Sequence, residues 1–356
     1  MVLPVAPLPN RVALPLLVAL LALLAGGCSR PQGIGGSAAP EAAPAVVTNA
    51  EPARPLASVP MVEVAPPTEE GPLLQLPGLP GSYGHRAGLH KVRDDLHLSA
   101  SAALVVDQDT GQVLLHRNAD GVLPIASLTK LMTALVLTDA RLSMDETITI
   151  TDDDVDIERH SRSRLRVGTS LSRGEALQLA LMSSENRAAH ALARTYPAGM
   201  KAFVQAMNAK ARALGMKNTT YVEPTGLSTA NQSTARDLAL IVNAASGNAL
   251  LAGYTTTARH LLPLARGRAL QYNNSNRLVK NPKWEIELQK TGYIVEAGWC
   301  MVMDTRIAGR NLVMVLLDAG GAGSRLADAE RIKRVLSNSR RVVSNNAAAS
   351  RRITEG

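Results

Sequence analysis

The 356-residue sequence predicts an α+β fold, with one antiparallel sheet assembled from both ends of a domain, helices flanking it, and a helical subdomain inserted between the two groups of strands. Three observations carry this expectation. Strand-like runs occur at Ala102–Asp107 and Gln112–His116 and return between Trp284 and Leu317. The stretch between them repeats apolar residues at helical spacing. With 46% apolar residues the chain has enough material for a sizeable core, and its length suits one large domain or two small ones.

Taken in order, the first two runs are separated by Gln108-Asp109-Thr110-Gly111, which reads as a hairpin turn. Pro124 then precedes Leu128, Met132 and Leu135 at helical spacing, an apolar face that begins beside Ser127. Ser172-Arg173-Gly174-Glu175 has the form of a capping box and opens a helix through about Met182. Met200, Phe203, Val204, Met207, Ala211 and Leu214 mark an amphipathic helix that Gly215 can terminate, and Thr234-Ala235-Arg236-Asp237 starts another. Strands are expected at Glu285–Lys290, Ala297–Met303 and Asn311–Leu317, with a turn at Gly309-Arg310, before a last helix through Leu326, Ile332 and Leu336. A cleft is expected where sheet and helices meet.

The two ends of the chain differ from this middle. Residues 1–27 carry a short apolar run behind Arg11 that ends in small residues, the form of an export signal. Ala25-Gly26-Gly27-Cys28 resembles a lipoprotein signal box, which makes Cys28 a candidate for lipid attachment and for membrane tethering, although such boxes more often carry leucine where Ala25 stands. Residues 28–92 hold 11 of the 20 prolines and no aromatic residue before Tyr83, too little apolar surface to offset the entropy of ordering. They are expected to be an Ala/Pro-rich tether, reaching on the order of 190 Å if extended and roughly 45 Å as a coil. The folded domain is expected over 93–338, and 339–356 as a disordered tail. An exported, periplasmic location follows from this arrangement, with membrane attachment depending on Cys28.

Only Cys28 and Cys300 are present, so no disulfide framework is expected. Cys300 lies in an apolar strand-like run and reads as a buried small hydrophobe. Aromatic residues make up 3% of the chain and show no interleaving with basic residues, which argues against nucleic-acid binding. The formal net charge of +8 suits an anionic wall or membrane surface, or simple solubility. The histidines show no His-Glu-x-x-His pattern, so a metal site is not expected.

Three short strings carry chemistry: Ser127-Leu128-Thr129-Lys130, Ser184-Glu185-Asn186 and Lys290-Thr291-Gly292. Residues at i and i+3 share a helix face, so Ser127 and Lys130 are expected to bring hydroxyl and amine within hydrogen-bond reach. Lys130 then serves as general base if desolvation and a nearby positive charge, naturally that of Lys290, keep it neutral part of the time. Taken alone, each string is weak, since Ser-x-x-Lys is expected roughly once or twice by chance in such a chain, and Ser-x-Asn also fits at Ser246-Gly247-Asn248 and Ser344-Asn345-Asn346. Ser184 stands in a polar break between helical runs, and Lys290-Thr291-Gly292 lies at the end of a strand, where Gly292 lets substrate backbone approach closely.

In this order and type, the trio is the signature of penicillin-binding proteins and class A β-lactamases. From about Ser101 to Leu336 the chain resembles the D-alanyl-D-alanine peptidases among the low-molecular-mass penicillin-binding proteins, most closely their endopeptidase branch. The likeness includes PIASLTKLMTALV at Pro124–Val136, LMSSENRAAHALA at Leu181–Ala193, AMNAKARALGM at Ala206–Met216, VEPTGLS at Val222–Ser228, STARDL at Ser233–Leu238 and QKTGY at Gln289–Tyr293. The resemblance implies a β-lactamase/transpeptidase-like fold and no cofactor. It implies Ser127 as acylated nucleophile, Lys130 as its base and Ser184 as proton relay to the leaving amine. It also implies Asn186 as holder of the substrate amide, Lys290 and Thr291 as carboxylate binders beside Gly292, and the N–H groups of Ser127 and Tyr293 as the oxyanion hole. Peptidoglycan peptides are the implied substrates and β-lactam antibiotics covalent inhibitors.

Four activities remain compatible with these residues. Endopeptidase action on D-alanyl crosslinks leads, with carboxypeptidase action on terminal D-alanine as a close variant. A β-lactamase would need a carboxylate for deacylation, which Glu223 superficially offers, though without the nearby asparagine of that family's loop. A tethered, non-enzymatic wall-binding protein is the last.

Overall fold

Strand Arg310–Ala319 shows how the sheet partitions the core. Leu312, Met314 and Leu316 point into one apolar cluster and Val313, Val315 and Leu317 into another, the period of two that a strand buried on both faces requires. The computed structural model describes residues 81–264 and 267–354, with side chains as far as Asn338. The segment 1–27, Cys28 and the tether up to residue 80 lie outside the described residues.

In chain order the elements are α1 (Tyr83–Arg86), β1 (Ala102–Asp107), β2 (Val113–Arg117), β3 (Leu123–Pro124), α2 (Thr129–Asp139), β4 (Thr147–Thr149), β5 (Ser170–Ser172), α3 (Arg173–Met182), α4 (Asn186–Arg194), α5 (Gly199–Ala213), β6 (Gln232–Ser233), α6 (Ala235–Ser246), α7 (Ala249–Thr256), β7 (Arg259–Pro263), β8 (Ala269–Asn273), β9 (Glu285–Ile294), β10 (Gly298–Ile307), β11 (Arg310–Ala319) and α8 (Ala322–Thr354). Five strands form one antiparallel sheet in the order β2-β1-β11-β10-β9. The sheet is therefore built from both ends of the domain, with the helices of the middle inserted between β2 and β9. Helix α6 packs on one face and α8 on the other, where Ala329 and Ile332 join the second cluster.

The local signals act as expected. Ser172 and Glu175 form a complete capping box at the start of α3, worth about 1 kcal/mol. Thr234 accepts from the Asp237 N–H at the start of α6, and Gly215, at φ 79°, follows α5. Helix α2 goes beyond the single apolar face read from the sequence: Thr129 to Leu137 are all buried. It is the central helix, surrounded by α3, α4, α5 and α6.

Three features depart from expectation. Residues 81–92, assigned to the tether, fold onto the domain: Arg117 donates to the carbonyls of His90 and Val92, and Asn118 donates to that of Leu89. These side chains satisfy the backbone of a segment that has no core of its own. The hairpin β7–β8 was not foreseen, because Leu261, Leu262 and Leu264 are nearly consecutive and hide the alternation of two. Helix α8 runs past Leu336 to Thr354 into the stretch expected as tail, and residues 337–354 contain neither Gly nor Pro and are rich in Ala and Arg.

Candidate active site

Ser127 lies in a tight 3-10 turn, Ala126–Leu128, that leads directly into α2. Ala126 has φ 47°, a left-handed conformation that costs about 1–2 kcal/mol for a residue with a β-carbon. Two glycines make room for this turn. A β-carbon on Gly226 would lie 1.9 Å from the Ala126 carbonyl oxygen, and one on Gly292 would lie 2.9 Å from the Ser127 nitrogen. Gly292 was expected to admit substrate backbone. The structure shows that the missing side chain also leaves room for the protein's own Ala126–Ser127 backbone, so that edge strand β9 lies against the serine while Gly292 lines the cleft.

One helical turn on, Lys130 is fully buried and donates from Nζ to Ser127 Oγ at 2.9 Å, Asn186 Oδ1 at 2.7 Å and the Thr225 carbonyl at 2.6 Å. All three ammonium protons have acceptors. Burial pulls this amine down to about 7, against the opposing pull of the Glu223 and Glu185 carboxylates. Of the two expected causes, desolvation is the dominant one, and the repulsion between the two buried lysines falls chiefly on Lys290.

Ser184-Glu185-Asn186 spans the break between α3 and α4, as its polar character suggested. Ser184 has φ 63°, and its Oγ accepts from Lys290 Nζ at 3.0 Å. Lys290 is itself fully buried on β9 and also donates to the Thr291 carbonyl at 2.7 Å. Burial holds it well below the usual lysine range, and the charges of Lys130 and Arg325 push the same way. Thr291 Oγ1 lies 2.7 Å from Ser275 Oγ, and Asn186 Nδ2 donates to Ser161 Oγ at 3.1 Å. Tyr293 stacks on Trp299, with ring centroids 4.1 Å apart.

These groups meet at a cleft of about 430 Å³ lined by Ser127, Ser184, Asn186, Thr291, Gly292 and Tyr293, together with Arg159, Ser161, Ser275 and Arg325. The three strings, distant in sequence, therefore converge on one site. The lysines stand behind its wall.

Sequence reasoning missed the last four lining residues, because single serines and arginines, three of them in loops and Arg325 in α8, carry no local signal. It quoted Glu223 without its structural part. That carboxylate accepts from the N–H groups of Thr225, Gly226 and Ser228 and from the Asn231 amide, which folds the 223–228 loop and aims the Thr225 carbonyl at Lys130. Both Glu223 oxygens are engaged, which disfavours its use as a deacylating base. Cys300 is buried, as expected of a small hydrophobe in a strand, and burial pushes its thiol up to about 12.

Residues 90–321 match the sequence profile of a peptidase family described as D-alanyl-D-alanine carboxypeptidase. The chain belongs to this penicillin-binding family of low molecular mass. Among its relatives, the D-alanyl-D-alanine endopeptidase of Pseudomonas aeruginosa is 49% identical over 240 residues, covering 67% of this chain and 77% of the relative. The D-alanyl-D-alanine endopeptidase of Escherichia coli is 43% identical over 237 residues, covering 66% and 76%. The crystal structure of the Streptomyces K15 DD-transpeptidase superposes with a TM-score of 0.62 at 27% identity, covering 67% of this chain and 96% of that one. The penicillin-binding peptidase fold expected from the three strings is thus the fold found, and all eight residues read as site residues lie inside the matched span.

Proposed function

We propose that this serine peptidase opens D-alanyl crosslinks between peptidoglycan stem peptides through an acyl-enzyme on Ser127. The observation that carries the proposal is the 2.9 Å contact from a buried Lys130, lowered to about 7, to the Ser127 hydroxyl. A neutral Lys130 takes the hydroxyl proton as Ser127 Oγ attacks the D-alanyl carbonyl. The oxyanion forms beside the Ser127 and Tyr293 N–H groups. Ser184, linked to Lys290, passes a proton to the leaving amine while Asn186 holds the substrate amide. Water then releases the acyl group. In this scheme Thr291 and Lys290 receive the substrate carboxylate on the leaving-amine side of the scissile bond, and β-lactams acylate the same serine. No metal or organic cofactor enters these steps.

Two relatives more than 40% identical bear the endopeptidase name, which supports internal over terminal cleavage. Carboxypeptidase action is the second proposal, favoured by the family's own description. β-Lactamase action is disfavoured because Glu223 is committed to its loop. We further propose export to the periplasm with a lipid on Cys28, for which labelled-palmitate incorporation lost in Cys28→Ala is the test.

Incubating the purified full chain with crosslinked muropeptide dimers and weighing the products decides the activity. Monomers are expected, and Ser127→Ala should yield none. Loss of a single alanine would favour the carboxypeptidase. Intact dimers, together with failure to bind a fluorescent penicillin, would leave the non-enzymatic alternative.

A further inference from the structure

The loop between the Asp152–Asp154 turn and β5 carries Arg159, Arg162, Arg164 and Arg166, a basic run beside the cleft. Its shape is set by one carboxylate. Asp156 Oδ1 accepts from the N–H groups of Glu158 (3.1 Å) and Arg159 (3.0 Å), and Asp156 Oδ2 accepts from that of Ser161 (2.8 Å). Arg159 and Ser161 are thereby presented to the cleft, and Ser161 is tied to Asn186.

At the cleft wall the Arg159 guanidinium holds Glu296 in a two-pronged pair, Nη1 to Oε2 at 3.0 Å and Nη2 to Oε1 at 3.1 Å. Glu296 belongs to the turn after β9, so the pair joins the basic loop to the strand that carries Lys290 and Thr291. Its side chains are 27% and 26% exposed. The pair is partly open to solvent, so a carboxylate entering the cleft can reach the same guanidinium. The planar fork of arginine matches any carboxylate that arrives in the same plane.

Direction along β9 says which part of a substrate would arrive. With the leaving-amine side of the substrate at Lys290 and Thr291, an acyl-donor peptide runs the other way, past Tyr293 towards Val295 and Glu296. Glu296 lies three residues beyond Tyr293, in the tight turn that follows Ile294, so the group that reaches Arg159 lies within about three residues of the scissile carbonyl on the donor side.

We propose that Arg159 recognises a free carboxylate on the acyl-donor peptide, and that Glu296 holds the place of that carboxylate until substrate enters. The proposal rests on the peptidase function above and names a specificity determinant for it. Two synthetic crosslinked stem dimers, identical except that the donor-side carboxylate is free or amidated, are given to the full chain, and acylation by benzylpenicillin is measured in parallel. The wild type should prefer the free carboxylate by about tenfold in kcat/KM, mostly through KM. Arg159→Gln should bring the ratio near one, and Glu296→Gln, which removes the internal competitor, should raise it above the wild-type value. Because each ratio is taken within one protein, a partly unfolded variant still reports it. Equal rates on both dimers in a wild type that acylates normally would overturn the carboxylate site alone. An undiminished preference in Arg159→Gln would overturn the assignment to that residue. A wild type that neither acylates nor cleaves would overturn the peptidase function, and the site would fall with it.

Discussion

Gly226 sits so close to Ala126 that a methyl group on it would lie 1.9 Å from the Ala126 carbonyl oxygen. One residue in a loop thus sets how the nucleophile turn is held, because Ala126 at φ 47° and Gly226 at φ 86° are both left-handed and face each other without side chains between them.

Gly226→Ala should therefore be strongly destabilising. Backbone strain of about 1–2 kcal/mol and overpacking of about 1–3 kcal/mol act together, and penicillin acylation should fall with the displaced Ser127. Denaturant unfolding checks this; an unchanged midpoint with normal acylation would refute the packing account.

Acylation should depend on pH through Lys130. The base is the neutral amine, so with Lys130 lowered to about 7 the acylation rate should rise as pH increases through 7 and level off above it. Lys130→Ala should lose at least about a hundredfold. A rate constant of acylation that stays flat from pH 5 to 9 would contradict the assignment.

Lys290 and Ser184 should act as a unit, since Lys290 Nζ is 3.0 Å from Ser184 Oγ. Ser184→Ala and Lys290→Met should each lower kcat/KM by about 10²-fold or more, and the double variant should lose far less than the product of the two. Strictly additive effects in this cycle would place the two residues in separate roles.

Glu223→Gln tests whether that carboxylate is structural. An amide cannot accept from all the N–H donors that converge on Glu223, so about 1–3 kcal/mol of stability should be lost. Acylation should slow because the Thr225 carbonyl moves away from Lys130, while deacylation of any acyl-enzyme formed should keep its wild-type rate. Selective loss of deacylation would revive the β-lactamase alternative.

Chemistry with a short sequence range was legible beforehand. Ser127 and Lys130 are three residues apart, and helical geometry alone brings them together, as the 2.9 Å contact bears out. The capping box at Ser172 and Glu175, the stop at Gly215 and the hairpin at 108–111 are likewise local, because each depends on hydrogen bonds within a few residues. The docking of 81–92 was not legible, since partners such as Arg117 lie far along the chain from the backbone they satisfy, and the hairpin β7–β8, though local, was hidden by leucines that break the alternation of two.

By itself the sequence determined the α+β order of elements, the three strings that line the cleft and the family they resemble, because periodicity, caps and motif spacing are properties of neighbours. Tertiary structure alone decided how completely Lys130 is buried, that Gly226 and Gly292 make room for the Ala126–Ser127 turn, and that Arg159 meets Glu296 at the cleft. Desolvation and steric fit depend on which distant residues surround a group, and only the folded chain brings those residues together.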